Sequence, residues 1–157
     1  YLMFSSLGVV APYQNITGLM FRLAPYKDKH LLTDVEVKVT LGLTLREDDK
    51  EVFRFYNLNL ERSRVDSLPM SWTIVHPIND ASPLTGFSSQ DLISADAEVY
   101  VLVKGFDDAF SNTVLQRTSY TGSEIKFNAR FIPMYHESED GQTTIVDLDK
   151  LDAHKEL

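Results

Sequence analysis

The chain has 157 residues, 43% of them hydrophobic and 24% charged, and it contains no cysteine. That composition describes one folded globular domain and excludes disorder, collagen-like repeats, disulfide scaffolds, thiolate metal sites and cysteine nucleophiles. A net charge of −8 argues against binding phosphate backbones, so no nucleic-acid partner is expected and cations are the more natural company.

Strands are expected over 2–10 and 18–24. In the next stretch Val35, Val37, Val39, Leu41, Leu43 and Leu45 alternate with Glu36, Lys38, Thr40, Gly42, Thr44 and Arg46. Strict alternation puts one face on a core and one toward solvent, so a long strand is expected over 32–46. Glu47-Asp48-Asp49-Lys50 breaks the pattern, and Val52, Phe53, Phe55, Leu58 and Leu60 resume it. The pair reads as a long β-hairpin with an acidic tip. A strand over 70–76 carries Trp72, the sole tryptophan, whose default role is packing. It ends on His76, for which a buried, hydrogen-bonded structural role is expected. Ser88 to Ile93 offers one capped helical turn. Further strands are expected over 97–104, 113–120, 124–135 and 143–147, with Pro133 marking an edge or a bend. The acids and leucines after Asp147 read as a last strand running into a frayed end. Short strands separated by turns define an all-β fold, most simply a sandwich.

The chemistry carried by local motifs is sparse. The four histidines, His30, His76, His136 and His154, are not spaced as metal ligands. No Gly-x-Ser-x-Gly elbow or glycine-rich phosphate loop occurs. Asp107 and Asp108 are adjacent and read as a solvated loop, and Asn15-Ile16-Thr17 is an isolated glycosylation triplet. No enzyme is expected. No apolar run approaches the roughly 20 residues that span a bilayer. Because it opens on Tyr1, the chain reads as a fragment or a processed form.

One segment carries more. Ser71-Trp72-Thr73-Ile74-Val75-His76-Pro77-Ile78-Asn79-Asp80-Ala81-Ser82-Pro83-Leu84 resembles the T-x-V-H-x-I-x-x-x-S-P-L segment of the cytoplasmic domain of inward-rectifier potassium channels. Other blocks are similar in the same order. They are Phe4-Ser5 with Gly8-Val9-Val10, Leu19 to Ala24 around Met20-Phe21-Arg22, Gln90-Asp91-Leu92, and Ala97-Glu98-Val99 to Gly105. Arg117-Thr118-Ser119-Tyr120 with Glu124-Ile125, Ala129-Arg130-Phe131, and Ile145 to Leu148 follow. Leu58 to Arg64 and Trp72 to Pro77 resemble the bacterial branch most.

The resemblance implies an immunoglobulin-like β-sandwich. It also implies one cytoplasmic domain over 1–157, hung below a two-helix pore module that lies outside this chain and anchors it to the membrane. Four copies would form a homotetramer around the path of potassium ions. No cofactor is implied. Fourfold symmetry turns each acid into a ring that draws cations, magnesium and polyamines among them.

Carried over by position, Gly105, Phe106, Ser111 and Asn112 would form the loop girdle narrowing the path, with Gly105 supplying backbone freedom. Asp108 and Arg117 would pair and brace that loop. Lys104 and the hairpin acids Glu47, Asp48 and Asp49 would set the charge of the vestibule. Lys104 departs from the family: strongly rectifying members carry an acid there, as they do near Leu60 and Arg64. Strong polyamine or magnesium block is therefore not expected.

Two other classes compete. A soluble immunoglobulin-like module binding a protein or carbohydrate would show an exposed aromatic patch, with Tyr13, Tyr26 and Tyr135 as candidates. A small hydrolase would show perturbed acids clustered in a pocket.

Overall fold

The computed structural model describes residues 2–26 and 32–157. In chain order the strands are β1 (Leu2–Phe4), β2 (Gly8–Tyr13), β3 (Ile16–Pro25), β4 (Leu32–Glu47), β5 (Lys50–Asn57), β6 (Arg64–Ser67) and β7 (Trp72–Ile78). After helix α1 (Ser89–Ser94) come β8 (Glu98–Asp107), β9 (Asn112–Thr121), β10 (Ile125–Phe127), β11 (Ala129–Phe131), β12 (Tyr135–Glu137), β13 (Thr144–Val146) and β14 (His154–Glu156). Ten of them build two five-stranded sheets, and β11 with β14 and β12 with β13 form two two-stranded ones. The first runs β1-β3-β2-β10, with β7 on the other side of β3. The second runs β5-β4-β8-β9, with β6 beside the start of β4. The all-β expectation is what the chain adopts.

The inner faces of both sheets fuse into one core. Leu19, Phe21 and Leu23 of β3 meet Val37, Val39 and Leu41 of β4 and Val99, Val101 and Val103 of β8. Phe21 and Tyr120 face each other across the sandwich with ring centroids 5.5 Å apart. The Tyr120 hydroxyl donates to the Ser5 carbonyl at 2.8 Å. Burial pushes its pKa up to about 12, so the phenol stays a donor at any ordinary pH.

The alternation from Val35 onward lies on β4 as expected, and Trp72 is buried on β7. Two expected segments divide, and a third takes another course. The 2–10 strand breaks at Ser5, whose hydroxyl accepts from the Arg22 amide and donates to the Leu7 carbonyl instead of continuing a ladder. The 124–135 strand becomes three. Asn128, at φ 55°, turns the chain between β10 and β11, and Pro133 separates β11 from β12. The tail is not frayed: a 3₁₀ turn at Leu148–Lys150 sends β14 back to pair with β11.

That tail gives the two sheets different surroundings. Arg22 and Ala24 of β3 point away from the sandwich core, yet both are buried, because the C-terminal segment lies over them. Ala24 packs with Met134 and Leu151. The Arg22 guanidinium donates to the carbonyls of Ile132, Lys150, Leu151 and Ala153 and lies 4.4 Å from the centre of the Phe131 ring. Burial lowers its pKa, opposed by Asp152. Among the described residues, no segment lies over the outer face of the second sheet in this way.

Candidate functional site

The candidate site begins where β4 and β8 meet. Thr33 pairs with Phe106 and Glu36 with Lys104, so Asp34 and Val35 together oppose Gly105 alone. This is a β-bulge, and Asp34 takes φ 49° to make it. The extra residue turns both Leu32 and Val35 inward, where they are buried. Gly105 is what lets them fit. A Cβ there would stand 3.1 Å from Leu32 Cβ and 3.4 Å from Val35 Cγ2. The glycine is thus required by close packing opposite the bulge, where the resemblance had suggested backbone freedom.

The loop that follows is tight. β8 and β9 stay paired to Asp107 opposite Asn112, and Ser111 closes the turn at φ 52°. Asp107 is fully buried and its Oδ1 accepts from the amides of Ala109 at 2.9 Å and Phe110 at 3.4 Å. The bracing expected from Asp108 and Arg117 is not made within the chain. Arg117 sits opposite Leu102, about five rungs from the turn. At the rise of a strand that is roughly 16 Å away from the loop. Asp107, read from the sequence as a solvated acid, braces the loop instead. Phe106 and Asn112 are exposed beside it, Phe106 at 37%.

The acidic hairpin tip lies at the opposite end of β4, since Leu32 pairs with Asp107 while Glu47 pairs with Lys50. Asp48 and Asp49 both take positive φ, 49° and 61°, as a two-residue hairpin turn demands. Glu47 is held by Arg54 at 2.8 Å, so the tip presents less negative charge than its composition suggests.

Between loop and tip stretches the uncovered face of the second sheet. Successive rows across β4, β8 and β9 read Glu36, Lys104, Leu115; then Lys38, Leu102, Arg117; then Thr40, Tyr100, Ser119. Phe53 and Phe55 stand exposed on the edge strand β5, at 66% and 67%, and Leu115 at 55%. Tyr26, just after β3, and Tyr135, on β12, are also exposed and belong to no strand of this face.

His76 has the expected structural role. It is 4% exposed; its Nδ1 lies 2.6 Å from the Asn59 carbonyl and its Nε2 2.8 Å from the Ser82 hydroxyl. A carbonyl only accepts, so Nδ1 carries the proton and Nε2 receives one from Ser82. Burial lowers the pKa, partly offset by the bond to Asn59. Among the described residues no group of three or more His, Cys, Asp or Glu side chains could hold a metal ion, and His30 lies outside them. No helix among them is long and apolar enough to cross a membrane.

The β-sandwich is the fold that the resemblance implied. Residues 2–157 match the model of the inward rectifier potassium channel C-terminal domain. The chain belongs to that family, a family of channel domains rather than of enzymes. It is 34% identical over 147 residues to the inward rectifier potassium channel Kirbac3.1 of Paramagnetospirillum magnetotacticum, which covers 92% of this chain and 49% of that protein. It is 32% identical to the ATP-sensitive inward rectifier potassium channel 12 of Gallus gallus, over 88% of this chain and 33% of the relative. The inward rectifier potassium channel 4 of Mesocricetus auratus is 30% identical, over 88% and 32%. The chain spans a third to a half of the length of these curated relatives. Among solved structures, the sporulation control protein Spo0M of Bacillus subtilis aligns at 11% identity with a TM-score of 0.33, over 80% of this chain and 49% of that one. That likeness carries no argument.

Proposed function

We propose that this chain is the cytoplasmic assembly and gating domain of an inward-rectifier-type potassium channel, and that four copies stand around the ion path beneath a membrane pore module. The observation that carries the reading is the family match over residues 2–157. The asymmetry of the sandwich supports it. An antiparallel sheet with Phe53, Phe55 and Leu115 exposed on one face offers apolar surface for neighbouring copies to cover. Gly105, Phe106, Ser111 and Asn112 form the girdle in this reading, held in shape by the buried Asp107. Lys104 faces outward beside it, so the vestibule wall carries positive charge where strong rectifiers carry negative charge. The channel therefore rectifies weakly.

This chain brings no cysteine of its own to the test, and the parent protein treated with the same reagent is the control. Ser111→Cys in the full-length protein, reconstituted in liposomes, should render potassium flux sensitive to a thiol-reactive cation added on the cytoplasmic side. Flux that is indifferent to the reagent, with the cysteine shown to be labelled, rejects the girdle. Lys104→Glu should bring voltage-dependent block of outward current by spermine where the parent shows little.

A further inference from the structure

We propose that a cavity at one margin of the sandwich is a binding site for a small neutral aromatic molecule that carries one hydrogen-bonding group. The cavity measures about 340 Å³, at the lower end of the roughly 300–1,000 Å³ that small-molecule sites occupy. It opens where β10, at the edge of the first sheet, stands against helix α1 and the start of β8. Val10, Leu19, Leu92, Val99 and Ile125 make its floor, and all five are buried. Phe87, from the loop before α1, and Phe127, from β10, are half-buried on its walls. Thr17, Thr85 and Asn128 are exposed and form the rim.

The lining selects the ligand in three ways. None of the residues around the cavity is ionisable, so a carboxylate, ammonium or phosphate drawn inside would lose its hydration and meet no counter-charge. The rim holds unused hydrogen-bonding capacity. The Thr17 hydroxyl and the Asn128 side-chain amide have no partner among the described residues. The Thr85 hydroxyl donates to the Asn79 carbonyl and keeps its own lone pairs. A single N–H or O–H at the outer end of a ligand therefore finds an acceptor. Finally, two phenylalanine rings offer face and edge contacts that favour another ring over an alkyl chain. The β-branched side chains of Val10, Val99 and Ile125 are stiff and suit a rigid body, which gives up less freedom on entering than a chain does.

The walls are braced against collapse. In the loop before α1 the Ser82 amide donates to the Asn79 carbonyl at 2.9 Å, the Leu84 amide to the Ser82 hydroxyl at 3.1 Å and the Phe87 amide to the Leu84 carbonyl at 3.0 Å. His76 fixes that same Ser82 hydroxyl. Helix α1 is capped by Ser88 with Asp91 and pressed onto Gly122, where a Cβ would stand 3.0 Å from the Leu92 carbonyl carbon. Protein interiors hold few voids larger than a water molecule. An apolar space of this size lacks dispersion partners until an apolar body enters it. One chain builds the whole site, so it stands independently of the channel reading.

Methyl-resolved NMR of the 157-residue chain titrated with indole tests the site. We expect saturable shifts, at one molecule per chain, centred on the methyl groups of Leu84, Leu92, Val99 and Ile125 and absent from Leu115 on the open face of the second sheet. Decanoate, whose ionised head finds no cation in the cavity, should bind about tenfold more weakly than indole. Thr17→Val and Asn128→Gly remove the rim groups, and glycine accepts the φ of 55° at position 128. Combined, they should weaken indole about tenfold. Ile78→Trp, half-buried beside the cavity, should fill it and abolish the shifts with a thermal midpoint no lower than the parent's. If that variant unfolds, Thr17→Trp, at an exposed strand position, blocks the mouth and must give the same loss. Lys126→Ala, exposed on β10, should change nothing. Absence of saturable shifts at the four methyl-bearing residues overturns the proposal. So do shifts centred instead on Leu102 and Leu115, decanoate binding as tightly as indole, or undiminished binding by a folded tryptophan variant.

Discussion

Arg22→Met removes the guanidinium that fastens the C-terminal segment to the first sheet while keeping most of its length and apolar contact. Arg22 is 4% exposed. Its bonds measure 2.6 Å to the Ile132 carbonyl, 2.7 Å to Lys150, 2.9 and 3.1 Å to Leu151 and 3.3 Å to Ala153. Methionine leaves these carbonyls converging on a site with no donor. Hydrogen bonds to a charged group contribute about 1.5–3 kcal/mol each, but the guanidinium no longer has to be desolvated, and the outer carbonyls regain water. Deleting one member of a buried charged network costs about 3–5 kcal/mol in comparable cases, and that is the loss expected here. Urea unfolding followed by Trp72 fluorescence reads it, because Trp72 pairs with Leu23 on the strand that carries Arg22. Hydrogen exchange should accelerate most at the amides of Ile132, Asp147 and Leu151, which bond within the clamped segment. Arg22→Lys should recover only part of the loss, because one ammonium cannot reach all of these carbonyls. A cost below about 1 kcal/mol, or exchange unchanged between 132 and 153, would refute the idea that this side chain holds the tail.

Gly105→Ala should destabilise by about 1–3 kcal/mol through overpacking against Leu32, and the penalty should shrink in a Leu32→Ala background. Equal penalties in both backgrounds, measured by a double-mutant cycle of unfolding free energies, would remove the packing argument. His76 supplies a pH dependence with a definite sign. Burial holds its folded pKa below the ordinary imidazole value, so the unfolded chain binds the proton more readily. The stability it contributes is complete above about pH 6.5 and is lost as pH falls from there through the folded value. His76→Gln should therefore be less stable than the parent at pH 7.5 and show a flatter thermal midpoint between pH 7 and 5. Parallel curves for the two proteins would contradict this.

How much of this was legible in the residues depends on whether a property is local. The alternation from Val35 to Leu45 is a local consequence of one face lying on a core, so β4 could be read directly. The acidic interruption at 47–50 likewise marked the turn, since Asp tolerates positive φ better than most residues. Leu32 could not be placed from the alternation, because the bulge at Asp34 changes which parity faces inward. Asp107 and Asp108 look alike in the sequence. The two fates, one fully buried and bonded to two amides and the other exposed, follow from strand parity: the odd positions of β8 face the core through to its last residue.

The open face of the second sheet was the least legible part for a different reason. Lys104 drew attention only through its place in a family pattern, and Lys38 and Arg117 through none that concerned charge on a common face. Residues so far apart in the chain become neighbours only through cross-strand register, which is set by the hairpins and by the bulge. A one-residue slip between β8 and β9 would turn Arg117 inward and break up that face while leaving the composition untouched. The same register explains why the two sheets serve different ends. The outward residues of β3, Met20, Arg22 and Ala24, are such that the returning tail can bury them, and it seals the first sheet. The outward residues of β4 and β8 are long, charged and aromatic, with no segment of the described chain returning over them. The surface that the described chain leaves open is therefore that of the second sheet.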